Sequence, residues 1–152
     1  METIIVEMVT SMAGSFGFCL LFHVRRQLLL PASLGGFFCW IIYLAAIHTI
    51  EGSFFPCLFA SAFGAFYAEI LARLLKAPAT IFFLPAVVPL IPGGSLYYTM
   101  SYAVQNHWEQ SQAYGSVTMR SALGIAVGAS LIWAFTDMTR KLLLYRANSG
   151  NR

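Results

Sequence analysis

A cluster of prolines and glycines interrupts an apolar stretch of this chain, and it holds the residues best suited to bind a small molecule. The stretch covers residues 80–103, and its middle contains Pro89, Pro92 and the pair Gly93-Gly94. An interior proline costs a helix about 3 kcal/mol, and hydrocarbon offers no water to satisfy the freed carbonyls. Broken backbone is tolerated there only where it is buried in protein or lines a polar cavity. We therefore expect a binding site between Pro89 and Ser95.

Two helix ends would supply the chemistry of this site. The first half-helix would end near Ile91 with unpaired carbonyls, and the second would begin at Ser95, a residue type that commonly caps helix N-termini. These ends carry about half a negative and half a positive charge. A carboxylate fits the positive end, and an ammonium or another cation fits the negative end. The pair suits a zwitterionic amino acid at least as well as a dicarboxylate.

Hydroxyl groups follow the break at helical spacing. Ser95, Tyr98, Thr99 and Tyr102 fall within about 100° of arc on a helix, and they form a polar stripe on an otherwise apolar face. Such a stripe is suited to line a path for a substrate. The alternative is that the hydroxyls form hydrogen bonds between packed helices or to their own backbone.

Two acidic residues within apolar stretches are candidates for proton coupling, because ionisable groups are expensive in a membrane. These are Glu69 and Asp137. Glu69 has Arg73 four positions later, and Asp137 has Arg140 and Lys141 three and four positions later. Helix-surface ion pairs at the cytoplasmic interface are therefore an alternative explanation for both.

The composition places the chain in a bilayer. Of its 152 residues, 59% are hydrophobic and 10% are charged, whereas soluble domains have about 45–50% and 25%. The net charge of +3 is small, which argues against nucleic acid as a partner. The three cysteines show no spacing typical of disulfides or metal ligands, so no metal or cofactor is expected. No catalytic constellation is visible, so an enzyme is not expected.

The apolar stretches predict an all-α membrane protein, a single domain over residues 1–152. About 20 residues cross a bilayer core, and the predicted spans are 4–22, 32–50, 54–72, 80–103 and 121–143. The polar segment 104–120 is expected to be a loop. Small residues predict close-packing faces in the third and fifth spans: Ala60, Gly64, Ala68, Gly124 and Gly128.

The positive charges predict the orientation of these spans. Eight of the nine Lys and Arg residues lie on one side, in the first and third loops and the C-terminal tail, and Arg120 lies on the other. The positive-inside rule then places the N-terminus outside and the C-terminus in the cytoplasm. From the cytoplasmic side, residues 81–90 rise about 15 Å, so the break is expected near the midplane.

The segment Pro89-Leu-Ile-Pro92-Gly93-Gly94-Ser95-Leu-Tyr97-Tyr-Thr-Met100 resembles the P-x-x-P-G-x-S-x-Y-x-x-M signature of the threonine/serine exporter family. The five-span layout, with a proline-rich fourth span followed by a polar loop, resembles the small membrane-only subunit of that family. The resemblance implies a larger membrane subunit as partner and export of threonine and serine, or of succinate. Tyr97 lies outside the hydroxyl stripe, so the signature and the stripe need not serve the same face.

The function we expect is that of a subunit of a secondary transporter that exports small hydrophilic metabolites, most of all threonine and serine. One alternative is a subunit of a C4-dicarboxylate exporter, and another is an assembly or stabilising subunit without substrate contact. The residues expected to contact substrate are Pro89, Pro92, Gly93, Gly94, Ser95, Tyr98, Thr99 and Tyr102.

Overall fold

Helices make up the part of the chain that the computed structural model describes, residues 2–149, with side chains described for residues 4–142. No strand occurs within these bounds. The elements are α1 (Glu2–Leu21), α2 (Arg26–Ile47), α3 (Phe54–Leu75), α4 (Ala79–Val87), a 3₁₀ turn (Val88–Leu90), α5 (Gly93–Val104) and α6 (Trp108–Ser149). The predicted all-helical class is confirmed.

Four helices, α1, α2, α3 and α6, are each long and apolar enough to cross a membrane. The segments Ala79–Leu90 and Gly93–Val104 pass the same test only together, and they are bent by 53° where they meet. The molecule therefore has four candidate spans, or five if the bent pair is counted as one. The span number of five and the orientation of the termini stay predictions, because length and composition alone define these candidates.

The second span begins earlier than predicted. Helix α2 starts at Arg26 rather than at residue 32, and Pro31 lies inside it. Pro31 is the sixth residue of α2, so the helix lacks the bond that its N–H would have donated to the Gln27 carbonyl. The Tyr67 hydroxyl of α3 donates a hydrogen bond of 2.7 Å to the Pro31 carbonyl, and this contact fixes the first turns of α2 against α3.

The prediction of a polar loop over residues 104–120 was wrong. Only residues 105–107 connect the last two helices, and α6 is continuous from Trp108 onward. Polar residues alone do not prevent helix formation, and this segment contains no proline. Glu109 lies in the first turn of α6, where an acidic side chain stabilises the positive end of a helix.

Small residues allow the central helices to approach closely. Ala60, Gly64 and Ala68 of α3 are buried, as predicted for a packing face. A Cβ on Gly64 would lie 2.9 Å from the Cys39 Sγ of α2, and a Cβ on Gly35 would lie 2.9 Å from the Ala86 Cβ of α4. Membrane helices associate largely through such close van der Waals packing, so these glycines hold α2, α3 and α4 together.

Helix α6 packs against α3 through its two glycines. A Cβ on Gly124 would overlap the Phe54 carbonyl, and a Cβ on Gly128 would overlap the Leu58 carbonyl. The predicted packing face on α6 is therefore confirmed. Since both sequences advance in the same direction along this contact, α3 and α6 run parallel.

The first part of α6 extends past the beginning of α3. The sixteen residues 108–123 precede Gly124, which is about 24 Å of helix at 1.5 Å per residue. Helix α5 packs along this part of α6 and makes no comparable contact with another described helix. We call α5 and residues 108–123 together the α5–α6 arm.

The break lies closer to the arm than to the middle of the bundle. Leu90 belongs to a buried cluster with Cys39 and Ala60, and Ala60 is the seventh of the 22 residues of α3. Helix α4 and the 3₁₀ turn together rise about 20 Å, because a 3₁₀ turn advances about 2.0 Å per residue. The break therefore lies nearer to the arm end of α3 than to the middle of that helix, and its position near the bilayer midplane stays a prediction.

Candidate functional site

The backbone breaks over a short segment between α4 and α5. Helix α4 ends at Val87, the 3₁₀ turn covers Val88–Leu90, and Ile91 is extended with φ −63° and ψ 122°. Pro89 has no N–H for the Pro85 carbonyl. Pro92 likewise has no N–H to donate to the Val88 carbonyl. That carbonyl instead accepts a hydrogen bond from the Ile91 N–H at 3.2 Å.

Helix α5 begins at Gly93 with Pro92 as its N-cap residue, so the prediction that Ser95 caps this helix was wrong. Ser95 is the third helical residue. Its hydroxyl donates to the Pro92 carbonyl at 3.1 Å and accepts from the Thr118 Oγ1 at 3.0 Å. No side chain caps the N-terminus of α5.

The start of α5 is open. Built Cβ atoms on Gly93 and Gly94 would meet no atom within 4 Å, and both residues are exposed. The N–H groups of Gly94 and Ser95 donate to no backbone carbonyl among the described bonds, whereas Leu96 bonds to Pro92 at 3.0 Å. Two free donors at the positive end of a helix are suited to bind an anion.

The chain itself does not require glycine at these two positions. Neither Gly93 nor Gly94 has a positive φ, and neither makes a close packing contact. Glycine within a helix costs about 0.5–1 kcal/mol relative to alanine. Space for close approach by another molecule would explain the pair.

The hydroxyl stripe lies on one face of α5, and that face packs against α6. A Cβ on Gly115 would lie 3.3 Å from the Thr99 Cγ2, and the Ser111 hydroxyl donates to the Thr99 carbonyl at 2.9 Å. Tyr98 and Tyr102 stack around Tyr114 with ring centroids 5.3 and 5.6 Å away. The packing alternative therefore accounts for these contacts, and a role of the stripe toward substrate stays a prediction.

The opposite face of α5 carries the remaining signature residues. Tyr97 and Met100 are 67% and 65% exposed. With Val104 they line a shallow, open groove of about 320 Å³ on the surface of the arm. As the sequence indicated, Tyr97 lies outside the hydroxyl stripe, whereas Ser95 belongs to both the signature and the stripe.

Glu69 and Asp137 line one cavity of about 480 Å³, near the end of the bundle where α3 ends and α4 begins. Arg73, Arg140 and two threonines of α6 complete its polar lining. Glu69 lies 3.9 Å from Arg73, as predicted. The pairing predicted for Asp137 with Arg140 or Lys141 is not formed, since this is the one ion pair among the side chains of residues 4–142.

Sequence reasoning missed this shared cavity because it treated the two carboxylates separately. Asp137 lies 68 positions after Glu69, and the parallel packing of α3 and α6 brings residues about 70 positions apart to the same level. The small residues of α3 and the glycines of α6 could have revealed the shared cavity. Packing these two faces in parallel determines which residues of α3 and α6 lie at the same level, and Glu69 and Asp137 are then neighbours.

No metal site is visible among the described side chains, where no group of three or more His, Cys, Asp and Glu residues comes together. The polar groups at the break are backbone N–H groups, hydroxyls and carbonyls. They can orient a small polar molecule by hydrogen bonds and helix-end charges, which is a binding function.

Comparison with known proteins agrees with this geometry. Residues 7–135 match the family described as "Threonine/Serine exporter, ThrE". Neither the curated proteins nor the solved structures gave a match to this chain. The family match covers most of the 152 residues. It includes the break and Glu69, but not Asp137, which lines the same cavity as Glu69. The chain therefore belongs to the threonine/serine exporter family.

Proposed function

We propose that this chain is one subunit of a secondary transporter in a bacterial inner membrane, and that it exports threonine and serine. The substrate carboxylate binds at the open start of α5, and the hydroxyl stripe beside it belongs to the same site. The family match supports amino-acid export. The substrate, the subunit role and the bacterial inner membrane are part of the proposal.

The observation that carries the proposal is the uncapped, open N-terminus of α5. Two backbone N–H groups there lack backbone acceptors, and the glycines leave space for close approach. A carboxylate at this position would satisfy both donors and the positive helix end. On the other side of the break, the carbonyl end of α4 carries partial negative charge, which suits an ammonium group.

A C4-dicarboxylate such as succinate is the second candidate. The same helix start would bind one of its carboxylates. Its other carboxylate would find the carbonyl end of α4, which repels an anion. This difference favours the zwitterionic amino acid, and direct comparison of the two substrates decides between them.

A larger membrane subunit of the same exporter is the proposed partner. The arm leaves large apolar side chains exposed, among them Tyr97, Met100 and Val104, the last at 83%. The arm extends about 24 Å past the start of α3, so the bundle of this chain does not cover it. A partner that packs on this face would bury these side chains and enclose the break.

The test is export by cells that contain the complete exporter, with labelled threonine, serine and succinate measured separately. We expect Gly93→Leu to lower threonine and serine export at least tenfold, because the leucine side chain occupies the space proposed for the substrate carboxylate. A tenfold loss corresponds to about 1.4 kcal/mol of binding free energy. The control is Gly14→Leu in α1, where a Cβ also meets no atom within 4 Å. Membrane abundance of every variant is quantified in parallel.

The outcomes separate the candidate functions. Normal export by Gly93→Leu at normal abundance would show that the break is only a bend. Export of succinate without threonine or serine by the unaltered protein would support the dicarboxylate candidate. If Gly93→Leu loses the complex while export per complex is unchanged, the chain is an assembly or stabilising subunit.

A further inference from the structure

A second cavity, of about 540 Å³, lies at the end of the bundle where α1 and α3 end and α2 and α4 begin. We call this end the basic end, because Arg25, Arg26, Arg73 and Lys76 lie there. The cavity is separate from the break and from the cavity of Glu69. It shares one lining residue, Ala77, with the latter.

The polar lining of this cavity is cationic. Arg25 and Lys76 contribute its positive charges, and His23, Gln27 and Thr80 add further polar groups. None of the residues that line it is acidic. The one ion pair among the side chains of residues 4–142 lies elsewhere, between Glu69 and Arg73. The positive charges of Arg25 and Lys76 are therefore not neutralised by a carboxylate of the described chain.

Two helix starts add to the positive field. The N-cap residues of α2 and α4 are Arg25 and Pro78, both line the cavity, and neither helix has a side-chain cap. The first N–H groups of a helix lack intrahelical partners and carry partial positive charge. An anion in the cavity would meet both helix starts and the basic side chains together.

Two of the basic residues hold left-handed backbone conformations. His23 has φ 52° and Lys76 has φ 50°, at the ends of α1 and α3. Glycine or asparagine is the usual choice at such a helix end, because other residues adopt this conformation at a cost. Histidine and lysine at both positions place two basic side chains at one cavity.

The remainder of the lining is apolar and continues to the surface of the bundle. Leu28 and Ile81 are partly buried within it, while Phe22 and Leu84 are 57% and 48% exposed. A ligand that fills the whole cavity therefore has an anionic part and an apolar part. A small hydrophilic metabolite would gain nothing from the apolar side.

We propose that this cavity binds the phosphate headgroup of an anionic phospholipid, with the acyl chains along Phe22 and Leu84. The chemistry that the cavity recognises is an oxyanion on a partly apolar molecule. A lipid is favoured over free phosphate or a carboxylate because the apolar residues lead outward to the surface, where a membrane protein meets lipid tails. Basic pockets between membrane helices on the cytoplasmic side are suited to such headgroups.

The experiment measures lipid retention by the purified exporter after delipidation in detergent. Phosphatidylglycerol and phosphatidylcholine are added in separate titrations, and bound lipid is counted by native mass spectrometry. We expect phosphatidylglycerol to bind more tightly than phosphatidylcholine. We expect Lys76→Asn, which keeps a residue compatible with the left-handed conformation, to weaken phosphatidylglycerol binding roughly fivefold. The double variant Arg25→Gln with Lys76→Asn should bind both lipids equally.

The control is Lys141→Gln, which removes one positive charge from an exposed position of α6 outside the cavity lining. It should keep the preference for phosphatidylglycerol. Circular dichroism and elution volume confirm that each variant is folded. Equal binding of the two lipids by the unaltered protein, or an unchanged preference in the double variant, would overturn the proposal. Inorganic phosphate or succinate that displaces the lipid at similar concentration would assign the cavity to a small anion instead.

Discussion

At Ser95 the hydroxyl connects two helices. It accepts from Thr118 at 3.0 Å and donates to the Pro92 carbonyl at 3.1 Å, so it caps no N–H group of α5. We expect Ser95→Ala to lower the free energy of unfolding by about 0.5–1.5 kcal/mol, the value of a typical net hydrogen bond. Thr118→Val should give a similar loss, and the double variant should be little worse than either.

The measurement is a double-mutant cycle on unfolding of the purified protein in detergent. Ser116→Ala is a matched control, because the Ser116 hydroxyl bonds only within its own helix, to the Ala113 carbonyl at 2.8 Å. Strictly additive losses for Ser95→Ala and Thr118→Val would show that the two hydroxyls do not interact.

The carboxylates of Glu69 and Asp137 share a cavity with two arginines. If they couple export to protons, the double variant Glu69→Gln with Asp137→Asn should lose the dependence of export on an imposed proton gradient, because amides cannot exchange protons in this way. Export is measured in vesicles with and without a pH difference. Glu51→Gln, at an exposed loop position, is the control. An unchanged gradient dependence would assign the two carboxylates to structure alone.

At the residue scale, the sequence predicted which residues share a face of one helix better than it predicted which residues of another helix they contact. Helical spacing placed Ser95, Tyr98, Thr99 and Tyr102 together because the period of the helix is fixed. It could not predict that α6 covers this face. The partner residue Thr118 lies 23 positions after Ser95, in a segment whose polar composition predicts a loop.

Among the helices, the parallel contact of α3 and α6 depends on two glycines. A Cβ on Gly124 or Gly128 would overlap backbone carbonyls of α3, which cannot move aside as a flexible side chain can. We expect Gly124→Leu and Gly128→Leu each to destabilise the protein by about 3 kcal/mol or more, the upper range for overpacking. Folded yield and thermal unfolding in detergent measure the effect.

The matched control for this contact is Ala126→Leu, because Ala126 lies between the two glycines on the same helix and is exposed. It should change stability by less than about 0.5 kcal/mol, as most surface substitutions do. If Gly128→Leu is as stable as Ala126→Leu, the helices do not meet at this face.

The break and the last helix show what the sequence could predict at the scale of helices. Prolines have a local and obligatory effect on backbone hydrogen bonds, and α4 ends before Pro89 while α5 begins after Pro92, whereas one discontinuous membrane span across this segment stays a prediction. The start of α5 was misplaced because serine is only a statistical preference at the N-cap, and Pro92 takes that position. The first part of α6 was missed because its helix is supported by contacts with α5, which local sequence does not reveal.

Over the whole molecule, helix length is not matched to one bilayer thickness. The 42 residues of α6 measure about 63 Å, whereas a bilayer core is about 30 Å thick. Gly124 of α6 lies against Phe54, the first residue of α3. The arm therefore extends away from the bundle, on the side opposite to the basic end. Apolar content predicted the bundle and most of α5, and it did not predict residues 108–120 of α6, whose composition is mixed.

The side on which the arm lies can be tested by cysteine labelling. The buried Cys19, Cys39 and Cys57 are first replaced by alanine. Single cysteines are then placed at Glu51 and Asn106 in loops on the arm side, and at Gln112 within the arm, all of which are exposed. We expect a membrane-impermeant thiol reagent to label all three from outside intact cells, because the positive-inside rule places the basic end in the cytoplasm.

Gln27, at the basic end, provides the opposite case, since a cysteine there should label only after the cells are opened. Labelling of Asn106 only from the cytoplasm would invert the orientation.

Gln112 distinguishes two positions of the arm, because a cysteine within the bilayer core reacts slowly with a thiol reagent in water. If Gln112 is protected when the chain is expressed by itself while Asn106 is labelled, the arm lies within the membrane. If Gln112 becomes protected only when the proposed larger subunit is present, that subunit covers the arm, and the exposed face of Tyr97 and Met100 is where it binds.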